Sequence, residues 1–304
     1  MIRQWTAFGT VFILSIAAAA AQSPQAKPAP QAPQPMTVQP VVKNLYLVKG
    51  GAGANAAFYV TKDGVLVIDA KMTPEAAAGM LTEIAKVTPR PVKWLVLTHS
   101  DGDHINGLPG FPKGLTIFAQ KNVERDLKKA AADTPALKDY LSTAIHATAI
   151  HESEAFIIGR GYRIDMRHYG PAHTDGDTCV FFRRQGVAFV GDLAFVGRDP
   201  LVHLQKGGTA SGYIKTLEAL LAEKPAIKTF LSGHADPLTR ADIESLKTSL
   251  ADKLAKVKEM VAAGKSLDDV RKAFGIEAPP DAPGGRRRWL SFVETAYTEL
   301  TSNK

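Results

Sequence analysis

The chain has 304 residues, 45% of them hydrophobic, and a formal net charge of +7, which suits one sizeable α/β core. Its single cysteine, Cys179, excludes an intramolecular disulfide and reads as a small buried core residue. The basic excess is scattered in Lys128-Lys129, Arg183-Arg184 and Arg286-Arg287-Arg288, which read as solvated faces, so no nucleic-acid partner is expected.

At the N-terminus, Arg3 precedes an almost wholly apolar or small stretch, Phe8 to Ala21, that closes on Ala19-Ala20-Ala21. This is the pattern of a cleaved signal peptide over residues 1–21, shorter than the roughly 20 apolar residues of a membrane span. Export to the periplasm or medium is expected, with no stable membrane insertion after cleavage. Residues 22–40, with prolines at 24, 28, 30, 33, 35 and 40, read as a Pro/Ala/Gln-rich tether, and 41–304 as one folded domain.

The domain opens with short β-rich segments, Asn44 to Lys49 and Ala57 to Thr61, a turn at Lys62-Asp63-Gly64, and a buried strand Val65 to Ile68 that ends in Asp69. Thr73-Pro74 starts a helix with Met80, Leu81, Ile84 and Val87 on its apolar stripe. A strand over 92–97 then runs directly into Thr98-His99-Ser100-Asp101-Gly102-Asp103-His104. Four potential metal ligands within six residues at a strand end are the strongest signal in the chain.

Leu115 to Ala119 reads as a strand and Asn122 to Ala131 as a charged helix, whereas Asp133 to Glu154 shows no strong periodicity. Strands resume at Arg163 to Tyr169, Thr178 to Arg183 and Val187 to Val190, the last running into Gly191-Asp192. A helix over about 211–222 leads to a strand, Ile227 to Leu231, that ends in Ser232-Gly233-His234. Thr239 caps a helix with Ile243, Leu246, Leu250, Leu254 and Val257 on one face, and Ser266 with Asp269 forms a capping box for a shorter one. After a Pro/Gly breaker at 278–285, a last helix is expected to carry Trp289, Phe292, Val293, Ala296 and Leu300 as a core stripe.

His99, Asp101, Asp103 and His104 follow one strand, His173 sits in Gly170-Pro171-Ala172-His173-Thr174, and Asp192 and His234 each follow a further strand. These side chains suffice for two ions about 3.5 to 4 Å apart that share one carboxylate. In this order, the motifs resemble the metallo-β-lactamase superfamily, and the resemblance covers nearly all of the expected domain. It implies an α/β fold of two similar β/α halves packed as an αββα sandwich, with the metals at one edge between the sheets.

Carried over by position, the resemblance implies that His99 and His173 hold a first divalent ion, that Asp103, His104 and His234 hold a second, and that Asp192 bridges them. Zinc is the favoured ion, with iron or manganese as alternatives. It also implies a hydrolase that attacks an ester, thioester, lactone or amide-like bond of a small-molecule substrate with a metal-bound hydroxide, whose proton Asp103 orients or accepts. Asp at 192, where many true lactamases carry Cys, moves the lactam reading behind esters, thioesters and lactones.

One position departs from the pattern: most members have His where this chain has Asp101. Asp101 is therefore a direct ligand, the partner of a bound water, or the cause of a weak first site. A further carboxylate lowers Lewis acidity and favours harder ions. The alternatives to a hydrolase are a non-haem iron oxidoreductase of the same fold and a metal-binding protein without turnover. Thr174, Asp175 and Asp177 are candidates to orient the histidines or to satisfy their own turn. His203, in the 201–208 loop, is a candidate to face substrate, and His146 and His151 are expected to be exposed. His168 is expected to be satisfied within a sheet. Selectivity is expected from the loops at 52–56, 133–154 and 201–208.

Overall fold

The computed structural model describes residues 34–146, 153–158, 160–277 and 289–302. The expected signal segment, most of the tether, His151, and the basic run at 286–288 lie outside the described residues. No helix among the described residues is long and apolar enough to cross a membrane.

The first half runs β1 (Thr37–Val42), β2 (Leu45–Lys49), β3 (Ala56–Val60), β4 (Val65–Ile68), α1 (Pro74–Val87), β5 (Val92–Val96), α2 (Gly102–Ile105), β6 (Thr116–Phe118), α3 (Lys121–Ala132), α4 (Pro135–Thr143) and β7 (Ile145–His146). These strands form one sheet in sequence order, antiparallel from β1 to β4 and parallel from β4 to β7. The second half runs β8 (Ser153–Ile158), β9 (Tyr162–Arg167), β10 (Cys179–Phe182), β11 (Val187–Phe189), α5 (Ala210–Ala222), β12 (Thr229–Leu231), β13 (Leu238–Thr239), α6 (Arg240–Ala262), α7 (Leu267–Ala273) and α8 (Phe292–Thr301). Its sheet has the order β13-β12-β11-β10-β9-β8, with β11 and β12 parallel.

Strand alternation sorts the core into three layers. In β3, Ala57 and Tyr59 face the opposite sheet while Ala56 and Phe58 face the helices, and in β10 Val180 and Phe182 face inward while Cys179 and Phe181 face outward. Leu45, Leu66, Ile68, Met166, Phe189 and Leu231 complete the layer between the sheets. α1, α3 and α4 cover the first sheet, and α5, α6, α7 and α8 cover the second. This is the expected αββα sandwich. Each fully buried Leu or Phe contributes about 1.5–3 kcal/mol relative to exposure, so the two-period pattern dictates the layering.

Three expectations are corrected. The first strand begins at Thr37, inside the expected tether, because an edge strand paired only with β2 tolerates Pro40 without a backbone donor. The stretch after Asp133 is not irregular throughout: Pro135 at the first helical position opens α4, which buries Leu137 and Tyr140. The last helix starts only at Phe292, where Ser291 and Glu294 form a capping box, so Trp289 lies outside it and is 58% exposed instead of packing in the core. Phe292, Val293 and Ala296 are buried as expected.

The topology gathers the polar strand ends. β4, β5, β11 and β12 all finish at the same edge of the sandwich and deliver Asp69, His99, Asp192 and His234, and the connection from β9 to β10 adds His173. Ligand-bearing loops beyond the carboxyl ends of parallel strands are the general placement for α/β sheets.

Candidate metal centre

The loop after β5 is held by a residue that the sequence marks only as a strand end. Asp69, at a left-handed φ of 64°, accepts the backbone N–H of Thr98 through Oδ1 at 2.8 Å. Its Oδ2 accepts the Thr98 hydroxyl at 2.8 Å and His104 Nδ1 at 2.7 Å. Since the Thr98 hydroxyl donates to Asp69, it accepts from His99 Nδ1, 3.0 Å away. His173 Nδ1 donates to the Leu201 carbonyl at 2.9 Å. The Nδ1 atom of each of these three rings is thus a donor, which turns each Nε2 toward the site.

These Nε2 atoms, and that of His234, converge on carboxylate oxygens. His104 Nε2 is 3.2 Å from Asp192 Oδ1, and Asp192 Oδ2 is 3.2 Å from His234 Nε2, 3.9 Å from His173 Nε2 and 4.0 Å from His99 Nε2. Asp103 Oδ2 lies 3.0 Å from His234 Nε2 and 3.7 Å from His104 Nε2. His99 Nε2, His104 Nε2 and Asp192 Oδ1 are buried with no hydrogen-bond partner. Buried lone pairs facing one another cost several kcal/mol unless a cation lies between them. The donor set therefore fits divalent ions. Three overlapping groups have ligand atoms within 4.8 Å of one another: His99, Asp101 and His173; Asp103, His104 and His234; and His99, His104 and Asp192.

The field of the site points the same way. Burial works against charge on His173 and His234, yet the Asp101 and Asp192 carboxylates beside the first, and Asp103 and Asp192 beside the second, raise both to about 9. Asp192 stays well below the usual carboxylate range despite burial, because His104, His234 and His99 surround it. His99 is pushed down by burial and by His104. The pocket is built to retain positive charge. It also requires glycine at 233: a Cβ there would sit 2.4 Å from Asp192 Oδ1 and 2.7 Å from His104 Cε1, inside the ligand cluster.

The structure brings all seven expected ligand residues together and adds two that the sequence did not place in the cluster. Asp101 precedes α2 but makes no capping bond, and its carboxylate turns to the site. Asp101 Oδ2 is 3.1 Å from His173 Nε2, 3.8 Å from His99 Nε2 and 2.9 Å from His203 Nε2. Asp101 Oδ1 accepts from Lys206 Nζ at 2.7 Å, and Lys206 also donates to the Ser100 carbonyl at 2.8 Å. The ammonium offsets the extra negative charge that Asp101 brings. His203 is buried and stands edge-on to Trp289 with ring centroids 4.6 Å apart, so it couples the site to its rim. The signal for Lys206 was its place in the loop preceding α5, which no motif marks.

Other candidates resolve to local roles. Asp177 accepts from the Thr174 hydroxyl and backbone N–H and so holds its own turn, while Asp175 pairs with Arg125 and ties that turn to α3. His168 Nδ1 meets the Asp177 carbonyl at 2.8 Å. Cys179 is fully buried, and burial pushes its thiol up. Lys71 lies buried beneath the site, donating to the Gly50 and Ala54 carbonyls at 2.7 and 2.6 Å, with burial pulling it down to about 8. Above the ligands opens a cavity of about 510 Å³ whose walls include Met72, Phe195, Arg198 and Trp289.

Comparison with known proteins agrees with this geometry. The sequence profile of the metallo-beta-lactamase superfamily matches residues 50–234, from the start of the β2–β3 connection to the last candidate ligand. Metallo-beta-lactamase IND-1 of Chryseobacterium indologenes is 26% identical over 208 residues, 64% of this chain and 80% of that protein. The metallo-beta-lactamase FIM-1 of Pseudomonas aeruginosa in its mono-zinc form superposes with a TM-score of 0.56 at 16% identity, over 72% of this chain and 96% of that one. A double mutant of the sec-alkyl sulfatase PisA1 reaches a TM-score of 0.71 at 15% identity, with 88% of this chain matching half of that longer one. The fold, the metal-fitting donor set and the profile match together make this chain a member of the metallo-β-lactamase superfamily and a hydrolase of its metal-dependent type.

Proposed function

We propose that the protein is an exported dinuclear hydrolase of small molecules that carry an ester, thioester, lactone or amide-like bond. His99, Asp101 and His173 would hold one ion and Asp103, His104 and His234 the other, with Asp192 within reach of both sets. The observation that carries this reading is the convergence of His99 Nε2, His104 Nε2 and Asp192 Oδ1, three buried polar atoms without partners. The imidazole-rich set favours zinc, with iron or manganese admitted by the carboxylates. When bound, the ions supply a water made acidic enough to act as nucleophile near neutral pH, together with Lewis acidity toward the substrate carbonyl.

The chain's own residues do the rest. Asp103 lines the cavity beside His234 and is placed to take a proton from the attacking water and return it to the leaving group. Asp69 fixes the His104 ring and, through Thr98, the His99 ring, so both are pre-oriented. Lys206 donates to Asp101 Oδ1, which leaves Oδ2 as the oxygen that would face an ion and offsets the carboxylate's charge. Met72 and Trp289, both exposed at the cavity wall, and Phe195 beside them suit a substrate with an apolar portion next to the scissile bond.

The test is turnover by full-length exported protein with its native metal, on a panel of aryl esters, thioesters, lactones, a β-lactam and a secondary alkyl sulfate. The reading requires hydrolysis of an ester-type substrate that is lost on chelation and restored by zinc. Iron with a visible chromophore and no hydrolysis, or two bound ions without turnover on any of the panel, would contradict it.

A further inference from the structure

The end of the sandwich away from the metal centre carries a second cleft. It opens at the amino end of β4, four residues and about 13 Å of strand from Asp69, so its contents do not touch the candidate metal ligands. The β3–β4 turn, the start of β9 and the β10–β11 turn surround a cavity of about 450 Å³, a size that admits a one- or two-ring molecule. Its floor is aromatic. Tyr59 stands edge-on to Tyr162 with centroids 6.0 Å apart and tilts against Phe182 at 5.1 Å; Tyr59 and Phe182 are themselves buried, and the half-buried Tyr162 is the ring that keeps open surface at the cleft.

The rim is basic, and its charges are not all spoken for. Of the charged residues that line the cleft, five are basic and only Asp165 is acidic. Asp165 is already engaged by both Arg163 and Arg183, and Arg160 pairs with Asp63. The ammonium of Lys62 and the guanidinium of Arg184 have no ion-pair or hydrogen-bond partner among the described residues. The adjacent pair Arg183-Arg184, which the sequence presents as one solvated face, is thus divided: Arg183 is tied to Asp165 and Glu223, and Arg184 is free at the cleft. Tyr59 adds a polar handle on the floor, its hydroxyl accepting from Gln185 Nε2 at 3.3 Å.

We propose that this cleft is a second, non-catalytic binding site for a small aromatic anion, an aryl sulfonate, sulfate, phosphate or carboxylate. The ring packs against the open face of Tyr162, beside the edge of the buried Tyr59, and the anionic group lies between Lys62 and Arg184. Ring packing supplies apolar burial and edge-to-face contact, and the paired cations supply charge-assisted hydrogen bonds that a neutral or cationic aromatic forgoes.

The test uses 2-naphthalenesulfonate as probe in calorimetric titration of the full-length, zinc-loaded protein. One equivalent is expected to bind with a Kd of about 1 mM or tighter. Lys62→Ala combined with Arg184→Ala should weaken binding by about tenfold or more, while leaving zinc content and hydrolysis unchanged. Both side chains are exposed, so the double variant is expected to fold, and an unchanged thermal midpoint checks this. The neutral analogue 2-naphthalenemethanol should bind about tenfold more weakly, and inorganic sulfate alone should not saturate the site. The proposal is overturned if the probe shows no saturable binding, if the double variant binds it as wild type does, or if removing zinc abolishes binding, which would place the probe at the metal centre.

Discussion

The two halves of the candidate metal centre are held in place by different means. The half formed by Asp103, His104 and His234 hangs on the core: Asp69, at the end of a fully buried strand, grips the His104 ring directly. The half formed by His99, Asp101 and His173 depends more on loops. His173 is oriented by the Leu201 carbonyl, and Asp101 is met by His203 and Lys206 from the same 201–208 segment. The contrast teaches how a carboxylate at position 101 is met by an opposite charge from a distant loop, while the scaffold at the strand ends orients His99 and His104. One half is gripped directly by a strand-end carboxylate, and the other is completed by contacts from a distant loop.

The largest expected effect erases the distinction between the halves. Asp192→Ala removes the carboxylate shared by both and should lower kcat/KM by about 10³-fold, equivalent to roughly 4 kcal/mol, with loss of most bound metal; steady-state hydrolysis with metal analysis checks it. Asp69→Asn strains the halves unequally, since Asp69 grips His104 directly and His99 only through Thr98. It should weaken zinc at the second position by about 10- to 100-fold, read in a chelator competition titration.

Asp101→His separates them by charge. Alone, it leaves the Lys206 ammonium unpaired beside a cation and should weaken the first zinc by about tenfold or more, and adding Lys206→Met should recover most of that loss. A rise in zinc affinity in the Asp101→His variant alone would break the compensation account. The smallest effect belongs to the rim. Trp289→Ala should raise KM about three- to tenfold with kcat nearly unchanged and alter stability by less than about 0.5 kcal/mol, since the ring is mostly exposed.

The layers and the ligand run were legible because they rest on local regularities. The runs Val65 to Ile68 and Cys179 to Phe182 read as strands because burial on both faces demands unbroken apolar residues, and a strand that ends in His-x-Asp-x-Asp-His has few structural uses other than binding a cation. The seven residues that the structure gathers were all readable from their motifs. Asp69 was visible only as a strand end, because its role depends on a loop 29 to 35 residues away. Lys206 and the rim position of Trp289 depend on how separate loops meet, and apolar spacing next to Phe292 made Trp289 look like core. The helix at Pro135–Thr143 was hidden because its buried stripe is only two residues, Leu137 and Tyr140.

The central claim is that Asp101 serves as a ligand in a two-ion centre, its charge balanced by Lys206. Equilibrium zinc titration of the full-length protein, followed by metal analysis, tests it most directly. The account predicts two equivalents per chain for wild type and one for Asp101→Ala, with the second-position ion retained. One equivalent in wild type, unchanged in Asp101→Ala, would contradict it.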